Sequence, residues 1–185
     1  GHFNGAKWGQ DEWNMELDYF NQFVFSENNH FQYLSLSDIQ GLRAPLLAFS
    51  DSMYSILKKQ NYTYDTSKVS SKAVWPTKDN YGIWQFPLHN IKVTGRYTIS
   101  MDYNIYTLQT NAQDTLKYGT TEWEKAKADV VNTYMNYFNN SYNGNRAPIN
   151  IGNHFAMWND GLYWEAMKEF AENVCGMEGV ICGTY

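Results

Sequence analysis

No stretch of this chain approaches the run of about 20 apolar residues that a bilayer span requires, and no charged, apolar, small-residue leader opens it. A membrane-spanning role is therefore excluded from the reading. Lysine and arginine are scattered along a chain of formal charge −5, so there is no basic stripe to neutralise phosphates, and nucleic acid is not an expected partner. Internal repeats and low-complexity linkers are also missing. There are only two cysteines, Cys175 and Cys182, set close together in Cys-Gly-Met-Glu-Gly-Val-Ile-Cys. A disulfide between them suits an extracellular or periplasmic protein, although two buried thiols give the same sequence.

What the chain does have is apolar and aromatic mass. With 185 residues, 43% hydrophobic and 17% aromatic, it has enough to bury one good core, and a single domain over residues 1–185 is expected. Asn61-Tyr62-Thr63 and Asn139-Asn140-Ser141 match the acceptor pattern for N-glycosylation, weak support for a secreted, periplasmic or cell-surface protein.

Periodicity alternates between helix and strand. Residues 11–25 place Trp13, Leu17, Phe20 and Val24 on one helical face. Residues 41–46 read as a short strand carrying Arg43, with Ser50 or Asp51 capping a helix through Leu57 and another strand starting over 62–64. Residues 83–88 and 97–103 are β-rich and bounded by turn residues such as Gly82 and Gly95. Thr121 and Glu124 suggest a capping box for a long helix with Trp123, Val130, Val131, Tyr134 and Phe138 on one side. Residues 146–155 read as a buried strand ending at His154, followed by a Trp158-to-Gly161 turn. A last helix turns Trp164, Met167, Phe170 and Val174 inward, and 180–182 begins a final strand. Such alternation predicts an α/β fold with a largely parallel sheet, open or closed into a barrel.

Arg43-Ala44-Pro45, Tyr64-Asp65-Thr66-Ser67, Trp84-Gln85-Phe86-Pro87, Ser100-Met101-Asp102-Tyr103-Asn104 and the segment from Ala147 to Trp158 come in the order found in polysaccharide deacetylases. The chain resembles that group, the NodB-homology enzymes of carbohydrate esterase family four, over nearly all its length. The resemblance implies a distorted (β/α) barrel, here without its first strands. It also implies a divalent metal, usually zinc, held by one Asp and two His four residues apart. The activity implied is removal of acetyl groups from N-acetylated glycans such as peptidoglycan or chitin, a polysaccharide or oligosaccharide being the partner.

Carried over residue by residue, His2 matches the later of the two metal-binding histidines, so the earlier one and the family's Asp-Asp pair would lie upstream of Gly1. In a second alignment His2 is the first ligand, and the position four later is Ala6, which cannot bind metal. His154 matches the general acid, a role that needs a nitrogen titrating near neutral pH. Its plainer reading is a buried histidine bonded to a backbone carbonyl. Asp102 would orient that histidine, or else cap a turn at a strand end. Arg43 matches the arginine that holds the family's base, where a surface ion pair is the plainer reading. Trp158 and Tyr103 are the aromatic residues expected to line a sugar groove. His30 reads as a solvated loop residue and His89 as strand or turn without a role. The alternative function is a glycan-binding or structural module that has kept the fold and lost the chemistry.

Overall fold

The structure, a computed structural model, describes residues 2–25 and 35–184. His30 lies outside the described residues. In chain order the elements are α1 (Gln10–Phe25), β1 (Gly41–Leu42), α2 (Asp51–Lys59), β2 (Tyr64–Asp65), β3 (Val69–Ser70), β4 (Thr77–Lys78), β5 (Trp84–Gln85), β6 (Leu88–Val93), β7 (Arg96–Ile99), α3 (Asp102–Thr110), α4 (Thr121–Tyr142) and α5 (Trp158–Val174). They fall into two compact units. The first comprises Gly1–Lys68 with Pro76–Pro87, and the second Val69–Trp75 with Leu88–Tyr185.

In the first unit β1, β2 and β5 run parallel, with Gly41 opposite Tyr64 and Tyr64 opposite Trp84, and β4 pairs antiparallel to β5. Gly41 is required by this register, because a Cβ there would fall 1.8 Å from Tyr64 Cε2. Trp13 and Leu17 of α1 and Met53, Tyr54, Ile56 and Leu57 of α2 form the core with Tyr62 and Ile83. Phe20 is exposed and Val24 only half-buried, so the apolar face of α1 is narrower than its spacing suggests. The strand expected over 41–46 stops at Leu42. Pro45 has no N–H for a ladder and opens a short 3₁₀ turn instead, and the Ala44 N–H is taken by Ser67 Oγ at 2.8 Å.

In the second unit β3 lies parallel to β6, and β6 turns into antiparallel β7. Thr94 and Gly95 both adopt positive φ in that turn, the combination that matches the right-handed twist of a hairpin. Ile91 and Val93 of β6 join Ile105, Trp123, Val130, Tyr134, Leu162, Tyr163 and Phe170 in one core, and Leu88 at the start of β6 is fully buried. Thr120, one residue before the expected cap, caps α4 by accepting the Trp123 N–H at 3.3 Å. Asn159, Asp160 and Gly161 are left-handed, so a turn does interrupt the start of α5 as the sequence suggests. Trp164 proves to be on the exposed side of that helix, and Met167 is half-buried.

Three strand expectations are corrected here. Residues 146–155 form no ladder: Arg146 is left-handed, Pro148 lacks a donor, and one parallel bridge, Met101 to Gly152, is the segment's sheet contact. The run over 97–103 ends at Ile99, and Asp102 begins α3, which Asn111 stops in the left-handed conformation. Residues 180–182 are irregular, tied back by the Val180 N–H to Met177 O and by the Cys175–Cys182 disulfide. The architecture is mixed α/β, parallel and antiparallel pairs together, and the described strands do not close into a barrel.

Candidate acid–base site

The second unit builds one chemically pointed arrangement. β7 ends at Ile99, and the chain then passes Ser100 and Met101 into α3. Across from it runs the irregular 150–154 segment, held by Gly152 N–H to Ser100 O at 2.8 Å, Asp102 N–H to Gly152 O at 3.0 Å and Ser100 Oγ–H to Asn150 O at 2.7 Å. These bonds bring Asp102 and His154 together although 52 residues separate them.

Asp102 is fully buried at the first turn of α3. Its Oδ1 accepts the Tyr103 N–H at 2.7 Å, so the carboxylate sits where backbone donors and the helix dipole both favour negative charge. Its Oδ2 accepts the His154 backbone N–H at 2.7 Å, and Oδ1 also meets His154 Nδ1 at 2.6 Å. A buried carboxylate with these partners fixes the imidazole's rotation and its tautomer: Nδ1 carries the hydrogen toward Asp102, leaving Nε2 for chemistry. No partner for Nε2 occurs among the described residues, and the His154 side chain is 45% exposed while that of Asp102 is 1% exposed. The ordering group is buried, and the imidazole it orders is about half open to solvent.

Aromatic rings border this nitrogen. Trp158 lies 5.4 Å from the His154 ring and Tyr103 6.3 Å, centroid to centroid. Trp158 is itself stacked on Tyr106 at 5.1 Å and 8°. A flat, partly wet aromatic wall beside a titratable nitrogen suits the apolar face of a sugar ring.

Behind the site a second histidine stays out of solvent. His89, on β6, is 1% exposed. Tyr137 Oη, from α4, accepts the Asn150 N–H at 3.3 Å and hydrogen-bonds His89 Nδ1. The chain of donors then runs Asn150 N–H to Tyr137, and Tyr137 O–H to Nδ1, which leaves the hydrogen of His89 on Nε2, a buried atom without a partner among the described residues. Burial lowers the His89 pKa to about 4, so it is neutral near pH 7. Position in sequence gave His89 no role; its link to Asn150 depends on a tyrosine 48 residues away.

His154, Asp102, Tyr103 and Trp158 are thus brought together, while Arg43 and His2 belong to the first unit. Arg43 is half-buried, with Nε donating to Thr66 Oγ1 at 2.9 Å and Thr66 O at 3.3 Å. Beside it Asp65, which sequence reasoning left without a role, is buried and accepts from Ser67 Oγ at 2.5 Å, Ser67 N–H at 3.1 Å and Tyr54 Oη at 3.2 Å. Burial raises the Asp65 pKa against the pull of those donors, and burial together with the Asp65 charge raises that of Tyr54. His2 is exposed, and among the described residues no group of three His, Cys, Asp or Glu side chains is placed to hold a metal ion. The residues described do not fit the three-ligand zinc centre that the resemblance implies.

Comparison with protein-family models and with curated protein sequences finds no match. No described helix is long and apolar enough to cross a membrane.

Proposed function

We propose that this chain carries the acid side of a glycan deacetylase's active site, with His154 as general acid and Asp102 as the residue that orients it. The observation that supports this most is the pairing of a fully buried carboxylate with an imidazole whose other nitrogen is exposed beside stacked aromatic rings. Hydrolysis of an N-acetyl group adds water across the acetyl C–N bond. Oxygen goes to the acetyl carbon, acetate leaves, and the nitrogen departs as an amine only if it gains a proton. The attacking water gives up one proton, so none is consumed overall; His154, carrying a proton on Nε2, delivers it to the departing nitrogen, and the Asp102 charge stabilises the imidazolium before transfer. The order of the Arg43, Asp65, Trp84, Asp102 and His154 segments along the chain adds the resemblance to polysaccharide deacetylases, and with it the distorted (β/α) barrel and N-acetylated glycans of the peptidoglycan or chitin type as substrate.

Zinc remains part of the proposal only as a group whose ligands, apart from His2, the described residues do not supply, and no step above passes through it. The Cys175–Cys182 disulfide supports a secreted, periplasmic or cell-surface location, since such bonds persist in oxidising compartments.

The lack of a three-ligand set among the described residues favours a second reading, a glycan-binding module without turnover. Acetate release from chito-oligosaccharides separates the two. The deacetylase reading expects release by the unaltered protein and a fall of about 10²- to 10⁴-fold in kcat for His154→Ala. Oligosaccharide binding without acetate release supports the module, and equal kcat in the variant removes His154 from its role.

A further inference from the structure

Outside the wall of Trp158, Tyr103 and Tyr106, a second aromatic surface begins one residue after His154. Phe155 is 101% exposed, and its ring stacks on Trp164, itself 36% exposed, at 6.1 Å and 27°. Met157, two residues further along the chain, is also exposed, at 72%. The left-handed Asn159-Asp160-Gly161 turn lies between Trp158 and Trp164 in the chain. Single exposed apolar residues are ordinary, whereas two exposed rings at 27° to each other present adjoining apolar surface to a ligand.

Resting on the reading of His154 given above, we infer that Phe155 and Trp164 form a second sugar-stacking subsite, so that the ligand is a glycan chain spanning at least two subsites rather than a single sugar. The apolar face of a pyranose matches a flat ring pair in size and polarity. Three side chains cannot supply the roughly 800 Å² per partner of a stable protein interface. An anionic membrane surface is disfavoured by the formal charge of −5 and by exposed Asp160 in the adjoining turn. Continuity along the chain from His154 to Phe155 places the outer platform next to the reacting sugar, as a polymer ligand requires.

Calorimetric titration of the whole chain with N-acetylglucosamine hexamer and dimer tests this. The unaltered protein should bind the hexamer more tightly, and Phe155→Ala or Trp164→Ala should weaken hexamer binding about tenfold while leaving dimer binding unchanged. Circular dichroism confirms that the variants fold, which the exposure of Phe155 leads one to expect. Equal affinity for hexamer and dimer, or hexamer binding unmoved in both aromatic variants, overturns the subsite and leaves the His154 reading standing. Failure of the unaltered protein to bind either sugar overturns both.

Discussion

Replacing His89 with a side chain that does not titrate should flatten the acid limb of the stability profile, because the structure holds this histidine neutral. Its folded pKa is about 4 against about 6.5 for an unfolded histidine, so at mildly acidic pH the unfolded chain binds a proton that the folded chain refuses. Stability is therefore unaffected above about pH 7, is lost as pH falls from about 6.5 toward 4, and stops changing through this group below that window. For one site the loss between pH 7 and pH 5 comes to about 2 kcal/mol. In a chain of 185 residues that lowers Tm by roughly 4–8 °C. His89→Gln keeps an acceptor for Tyr137 Oη and removes the titration. The comparison to make is the change in urea midpoint from pH 7 to pH 5 in each protein, not the absolute stabilities, since the substitution also alters packing. The unaltered chain should lose about 2 kcal/mol more than the variant over that interval. Parallel profiles would show that His89 is protonated, or reached by water, in the folded state, and would refute the buried neutral assignment.

Asp102→Asn should leave the fold intact and lower acetate release by about 10⁴, since an amide no longer fixes the Nδ1–H tautomer of His154; near-normal kcat would remove Asp102 from its role. Reducing Cys175–Cys182, which closes a loop of sequence separation 7, should lower unfolding free energy by about 2.5 kcal/mol, read as a shift in denaturant midpoint with and without reductant. Gly41→Ala should destabilise the first unit's sheet by about 1–3 kcal/mol in urea titration, because the new methyl falls on the Tyr64 ring; a neutral result would place β1 and β2 in a different register.

Long amphipathic elements were the legible part of this fold. The spacing of Trp123, Val130, Tyr134 and Phe138 revealed α4, because a helix of 22 residues repeats its apolar stripe several times, and the expected cap fell one residue from Thr120. The β elements were less readable. β1, β2 and β5 are two residues each, too short for alternation to show, and their pairing depends on contacts distant in sequence. Residues 146–155 looked like a buried strand because Ile149, Ile151 and Phe155 are apolar. The segment is anchored instead by Ser100, Tyr137 and Asp102, partners that no local pattern reveals. Of the candidate site, His154, Asp102, Trp158 and Tyr103 were named from the sequence, and the structure sets them within one cluster. His89 and Asp65 were left without a role for one shared reason: what distinguishes each is burial, a tertiary property that a lone histidine after Pro87-Leu88 or an aspartate after Tyr64 does not advertise.

The account turns on the nitrogen that Asp102 leaves free on His154. The most direct measurement is nitrogen-resolved NMR of the His154 ring at neutral pH during addition of N-acetylglucosamine hexamer. Hydrogen is expected on Nδ1 throughout, with an Nε2 signal that moves as the sugar binds. A ring with hydrogen on Nε2 and none on Nδ1, or ring signals unmoved at saturating sugar, would contradict this assignment.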